Sequence, residues 1–192
     1  YHRDIAVRNV LVKQEQAHLV AKIGDFGHAR LLDNSGVFIP PAGVEELLAY
    51  RWCSPEIFLR RHFSTASDVF ATGVTIWEVF NDADNPWARM NLEEVRTAVL
   101  GGQPLPCSGL LSDDLHTTII APCTAVVPGV RPSAAELHEL FAARIAACEQ
   151  ADSESSVEEQ LTLMSAESDE VYVYSSRVFC PDLPPSSLGS IN

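Results

Sequence analysis

Between residues 69 and 80 the sequence places Val69, Phe70, Val74, Ile76, Trp77, Val79 and Phe80 on nearly every face of the helix that their spacing predicts. A helix that is apolar all round has no face to give to water, so it belongs in the middle of a domain with other elements packed about it. Its start is expected at Thr65-Ala66-Ser67-Asp68, where Thr65 and Asp68 can reciprocally satisfy free amides of the first turn. The turn formers Asn81-Asp82-Ala83-Asp84-Asn85, followed by Pro86, end it. The rest of the chain has to cover this rod.

The remaining elements are short. Apolar runs at residues 10–12 and 19–23, joined by a polar stretch, predict a small β-hairpin in which Lys22 is an exposed strand residue. Residues 28–53 contain Gly36, Pro40, Pro41 and Gly43 and keep no sustained period, which predicts a long loop, and such loops inside compact domains are usually functional. Asn91-Leu92-Glu93-Glu94 is a capping box for a helix that Gly101-Gly102 stops. Ser112-Asp113-Asp114 caps a helix expected to reach about Ala121, and Ser133-Ala134-Ala135-Glu136 caps a final one, expected to bury Leu137, Leu140, Phe141 and Ile145. The fold class is therefore mainly α with a small β-hairpin.

Composition divides the chain in two. Residues 1–148 carry 12 basic and 17 acidic side chains, whereas residues 149–192 carry one and nine, so much of the net charge of −13 sits in the last quarter. Residues 1–148 are expected to be the folded domain. Residues 149–192 are Ser-, Glu- and Asp-rich, with too little hydrophobe to offset the entropy of ordering, so a disordered acidic tail is expected there, with a helical turn possible at 157–164. An acidic chain without a basic stripe gives no reason to expect nucleic-acid or anionic-membrane binding. Five widely separated cysteines without a C-x-x-C pair suggest neither a disulfide framework nor a zinc site, and fit a reducing, intracellular setting. No apolar run is long enough to span a membrane. The sequence lacks an initiating Met and opens inside a motif, so an upstream segment, with or without a membrane span, is expected.

That opening motif is His2-Arg3-Asp4-Ile5-Ala6-Val7-Arg8-Asn9. Asp4 and Asn9 are five apart, a spacing that aims a carboxylate and a carboxamide into one cleft if the loop between them is held. The stretch matches the pattern H-R-D-L-x-x-x-N except at Ile5, and Asp25-Phe26-Gly27 and Ser54-Pro55-Glu56 follow in the order of the protein-kinase signature set. Asp68 lies in Ser67-Asp68-Val69-Phe70-Ala71-Thr72-Gly73, where the kinase central helix carries an aspartate. Cys123 to Pro132 keeps the spacing C-W-x-x-x-P-x-x-R-P, with Thr124 in place of Trp. Residues 1 to about 145 thus resemble the large, C-terminal lobe of a protein kinase. Ala6 and Arg8, where serine/threonine kinases carry Lys two residues after the Asp, and Arg51-Trp52 before Ser54-Pro55-Glu56 make the resemblance closest to tyrosine kinases.

The resemblance implies a function: transfer of the γ-phosphoryl of ATP, with Mg²⁺, to a protein hydroxyl. Asp4 would accept the hydroxyl proton, and Arg8 would lie beside it. Asn9 and Asp25 would supply the hard oxygens that hold Mg²⁺ against the ATP phosphates. His2 would pack the loop, Arg3 would receive a phosphorylated activation segment, Asp68 would support the loop from the central helix, and Glu56 and Arg131 would form a buried ion pair. Departures from the family pattern carry expectations too. No Gly-rich loop, strand Lys or partner Glu of the ATP-clamping N-lobe occurs in the sequence, so these 192 residues alone are expected to be nearly inactive. Ser35 is the only phosphorylatable side chain between His28 and Ala49, Ala49 stands in place of a proline that meets the substrate ring, and His28 stands where an aliphatic residue is usual. Two alternatives are a pseudokinase or C-lobe scaffold, and a serine/threonine kinase of the tyrosine-kinase-like group. In the tail, Tyr172 and Tyr174 follow Glu167-Ser168-Asp169-Glu170 and resemble phosphorylation sites that phosphotyrosine-binding modules recognise. A kinase of this kind would work on the cytoplasmic side, as a cytosolic protein or as the intracellular part of a receptor.

Overall fold

The structure is a computed structural model and describes residues 1–15, 18–31, 33, 35–41, 43, 48–107 and 111–165. Two compact units are present, Tyr1–Leu137 and His138–Asn192. In the first, the antiparallel strands β1 (Val10–Glu15) and β2 (His18–Ile23) form the hairpin, in a register that pairs Val10 with Ile23 and Glu15 with His18. Lys22 is exposed on it. The helices α1 (Pro55–Arg60), α2 (Thr65–Val79), α3 (Leu92–Leu100), α4 (Asp113–Leu115) and α5 (Ala121–Cys123) follow.

α2 is the central rod that its composition demands. Val69, Phe70, Val74 and Trp77 are buried, and so are the polar Thr75 and Glu78; Val79 at the last turn is exposed. Its cap differs from the expected one. Ser64, not Thr65, is the N-cap: its hydroxyl accepts the Ser67 amide at 3.4 Å, and the Ser67 hydroxyl accepts the Ser64 amide at 3.0 Å. The reason is competition, because the Asp68 carboxylate is engaged elsewhere, as described below. At mid-helix α2 approaches α5 so closely that a Cβ on Gly73 would lie 2.6 Å from the Cβ of Cys123, so only glycine fits there.

The Asn91–Glu94 capping box at α3 forms as expected. α4 and α5 are joined by a π-helical turn, His116–Ile120, in which the Ala121 amide reaches back to the His116 carbonyl. Pro122, just inside α5, has no N–H to donate and its ring would crowd a regular α-helical turn, which the wider π turn relieves. The long segment after β2 holds the tight turns Phe26–His28 and Tyr50–Trp52, and it is pinned by reciprocal backbone bonds between Phe38 and Phe63 of 2.8 and 3.0 Å. Cys53, Ile57 and Phe63 form a small core there, with Tyr1, Phe38, Leu48 and Phe58 packed against it.

The last helix, α6 (Ala134–Ser165), begins with the expected Ser133–Glu136 box, with bonds of 2.7 and 3.2 Å. Of its expected core residues only Leu137 is fully buried, whereas Leu140 and Ile145 are exposed. Apolar spacing specifies the side a helix can bury, not how far along it other elements reach. α6 runs on through residues 149–165, in which Glu, Gln and Leu, all strong helix formers, recur. Tyr172 and Tyr174 lie outside the described residues.

Candidate active site

The loop at the start of the chain is tied to the two ends of α2. At the first turn, the Asp68 carboxylate accepts the backbone N–H of His2 at 2.6 Å and of Arg3 at 2.9 Å. Burial pushes the Asp68 carboxyl above its ordinary value, and the two backbone bonds pull against that shift. Arg3 has φ of 73°, a left-handed conformation that a non-glycine residue keeps only where its surroundings over-determine it. The pair of backbone hydrogen bonds from His2 and Arg3 to the Asp68 carboxylate supplies that restraint. His2 is buried, its Nε2 is 2.9 Å from the Gly24 carbonyl, and its ring stands edge-on to Phe26 at 5.0 Å. It packs the loop against the segment that carries Asp25.

At the other end of α2, Glu78 Oε2 accepts the Val7 N–H at 3.2 Å and the Trp52 indole N–H at 2.7 Å. Burial raises its carboxyl above the ordinary value, while these two bonds and the charge of Arg8 lower it. Sequence reasoning missed Glu78. The available signal was an acid within a helix otherwise apolar on every face, where a buried carboxylate requires partners.

Between these ties, the Asp4 carboxylate is held from two sides. Arg8 forms an ion pair with its Oδ1, and Asn9 Nδ2 donates to its Oδ2 at 2.7 Å and to its backbone carbonyl at 2.7 Å. The Arg8 guanidinium also lies 4.5 Å over the Trp52 ring. Asn9 is tied in turn to the neighbourhood of Asp25, because the hairpin closes with the Gly24 N–H donating to the Asn9 carbonyl at 2.8 Å. Asp25 is left-handed at φ 58°, and its Oδ1 accepts the Gly27 N–H at 3.1 Å.

The amide nitrogen of Asn9 is committed to Asp4, which makes its Oδ1 the end that can face a cation, and Asp25 offers carboxylate oxygen. This donor set fits Mg²⁺, which usually takes one or two protein oxygens together with substrate phosphates and water. It does not fit a metal held by protein alone: among the described residues no cluster of three or more His, Cys, Asp or Glu is arranged to hold one.

A cleft of about 190 Å³ opens beside Asp4, lined by Arg3, Arg8, His28, Leu48 and Ala49 among others. The Arg3 guanidinium lies 4.2 Å over Phe63 and 5.1 Å from the Phe38 ring centre, and donates to the His28 carbonyl at 3.4 Å. Two residues after Ala49, Arg51 donates to the carbonyls of Pro86, Trp87 and Met90, each at 2.7 Å. Arg131, with a fully buried side chain, makes a bidentate pair with Glu56 at 2.7 and 2.8 Å and also reaches the carbonyls of Ala125 and Ala66 at 2.8 Å. The structure thus brings Asp4, Arg8 and Asn9 into contact, hangs Asp25 next to Asn9 through the hairpin, and places Glu56 and Arg131 as a separate buried brace.

Comparison with known proteins gives a family and relatives for most of the chain. Residues 1–141 match the family model described as protein tyrosine and serine/threonine kinase. The chain is 41 % identical over 106 residues to Ephrin type-A receptor 1 of Homo sapiens, covering 55 % of this chain and 10 % of that protein. It is 36 % identical over 137 residues to the High affinity nerve growth factor receptor of Rattus norvegicus, covering 71 % and 16 %. It is also 34 % identical over 140 residues to the Inactive tyrosine-protein kinase kin-32 of Caenorhabditis elegans, covering 73 % and 16 %. The chain therefore spans 10 to 16 % of the length of these curated relatives. Among the described residues no helix is long and apolar enough to cross a membrane. With the loop, the hairpin and the central helix in the family's order, the chain belongs to the protein tyrosine and serine/threonine kinase family.

Proposed function

We propose that this chain forms the protein-substrate half of a tyrosine kinase that transfers the γ-phosphoryl of Mg²⁺–ATP to a tyrosine hydroxyl, with the ATP-clamping lobe supplied by sequence outside these residues. The observation that supports it most is the fixed Asp4 carboxylate, with Arg8 and Asn9 on its two oxygens and an open cleft beside it. Phosphoryl transfer asks the protein mainly to position groups and to balance charge. Asp4 takes the proton of the attacking hydroxyl, and Arg8 holds that carboxylate and its charge at the cleft wall. Asn9 Oδ1 and Asp25 are the oxygens that would hold Mg²⁺, which supplies charge neutralisation at the phosphates when bound. Ala6 and Arg8 in the loop favour tyrosine as acceptor. Protein substrates, the cytoplasmic side as the place of action, and recruitment of phosphotyrosine-binding modules at Tyr172 and Tyr174 follow from the same reading.

The test is transfer of labelled γ-phosphoryl by the whole protein, followed by phosphoamino-acid analysis of the product. Phosphotyrosine supports the reading; phosphoserine or phosphothreonine alone moves the chain to the serine/threonine branch. A relative named as inactive favours a second reading, a pseudokinase scaffold. Calorimetry with Mg²⁺–ATP separates them, since a protein that binds the nucleotide, transfers phosphoryl and loses transfer when Asp4 is changed is not a scaffold alone.

A further inference from the structure

We infer that Glu78 is a positioning residue for the transfer step, acting on Asp4 through Trp52 and Arg8; this rests on the kinase reading above. One oxygen, Glu78 Oε2, receives both the Trp52 indole N–H at 2.7 Å and the Val7 N–H at 3.2 Å. A single acceptor atom thereby sets the loop backbone next to Arg8 and the plane of the ring on which the Arg8 guanidinium rests, 4.5 Å away. Arg8 needs that ring. Its side chain is 45 % exposed, long and rich in rotamers, so the ion pair with Asp4 does not by itself fix it against water. The indole face supplies a second contact and desolvates one side of the guanidinium. Glu78, whose residue is only 5 % exposed, also places a second carboxylate in the field of Arg8, from the side away from solvent. The resulting order of contacts is Glu78 to Trp52, Trp52 to Arg8, and Arg8 to Asp4.

The consequence is for rate. A carboxylate that must meet a hydroxyl within hydrogen-bond reach loses efficiency when it is displaced by about 1 Å, and such displacement can arise from changes far from the chemistry. Without its indole support, Arg8 is free to leave Asp4 for solvent, and the carboxylate keeps only Asn9. A role limited to holding the fold would instead act on Val7 and Trp52 with no dependence on Arg8.

The experiment uses the whole protein and compares Glu78→Leu, Glu78→Gln, Arg8→Ala and the Glu78→Leu/Arg8→Ala double variant, measuring kcat, KM for Mg²⁺–ATP and Tm. Glu78→Leu is expected to lower kcat about tenfold or more with KM for Mg²⁺–ATP changed less than about twofold. Glu78→Gln, whose carbonyl can take the place of Oε2, is expected to keep most of the rate. In the Arg8→Ala background, Glu78→Leu is expected to cost less than about twofold further, because the path it acts through is already cut. Equal losses in both backgrounds, or no loss in either, overturn the inference while leaving the kinase reading intact. If Glu78→Leu does not fold, Trp52→Phe takes its place: it keeps a ring for Arg8, removes the N–H, and must show the same non-additivity with Arg8→Ala. A wild-type protein that transfers no phosphoryl overturns the kinase reading and this inference together.

Discussion

The Asp68 carboxylate receives two consecutive backbone N–H groups, those of His2 and Arg3, at 2.6 and 2.9 Å. Near the other end of the same helix, Glu78 receives Val7 at 3.2 Å. One buried helix therefore fixes the loop on both sides of Asp4. The positive φ of Arg3 lies at the first of these attachments, and Asp4 sits between the two.

Asp68→Asn replaces two acceptors by one acceptor and one donor, so an N–H of the loop faces an NH₂ group. A loss of about 1–3 kcal/mol is expected from the unsatisfied buried donor, read by urea unfolding. The pH dependence has a defined sign. Burial raises the Asp68 carboxyl above 3.8, and a carboxyl raised on folding contributes stability that is fully present below the unfolded value and lost as pH rises through the folded one. The deficit of the Asn variant should therefore narrow as the pH is raised from about 3.8 through the folded value. A deficit that widens over that window contradicts the assignment.

The pair of Arg131 and Glu56 should behave as a brace and not as part of the chemistry. Truncating either partner to Ala leaves a buried charge or its hydrogen-bonding groups without their counterpart, and about 3–5 kcal/mol of stability should be lost. Arg131→Lys should not restore it, because one ammonium cannot reach Glu56 at both oxygens and the carbonyls of Ala125 and Ala66 together. Any folded fraction of these variants should keep the wild-type KM for Mg²⁺–ATP.

Gly73→Ala tests the close approach of α2 and α5. The new methyl would meet the Cβ of Cys123 at 2.6 Å, and overpacking of this kind typically costs about 1–3 kcal/mol. Because the clash is with the Cβ itself, Cys123→Ala should give no relief and Cys123→Gly should give some. Thermal unfolding of the two double variants separates these outcomes.

Much of the site was legible because its signals are local or ordered along the chain. The candidate residues Asp4, Asn9 and Asp25 stand in stretches that resemble the ordered kinase motifs, and the boxes at Asn91–Glu94 and Ser133–Glu136 are complete within four residues. The cap of α2 was misplaced by one residue because Ser64 and Thr65 are adjacent hydroxyls, and what decides between them is that Asp68 serves a loop far away in sequence. The partners of Glu78 were hidden for the same reason. Val7 and Trp52 lie in other segments, so the helix's own pattern marks an acid among apolar residues without saying what it meets. Leu140 and Ile145 share the helical spacing of Leu137 without its burial, since burial depends on what covers the helix.

We propose that this attached loop presents Asp4 as the proton acceptor for phosphoryl transfer, and Asp4→Asn in the whole protein separates that role from nucleotide binding. Asn keeps the shape and an acceptor for the Asn9 amide, and lacks only the basicity and the charge that Arg8 meets. Side-by-side calorimetry with Mg²⁺–ATP and single-turnover transfer of the γ-phosphoryl should show binding within a few-fold of wild type and transfer reduced by about 10²-fold or more. Transfer at the wild-type rate, or loss of nucleotide binding in proportion to loss of transfer, rules out Asp4 as the proton acceptor.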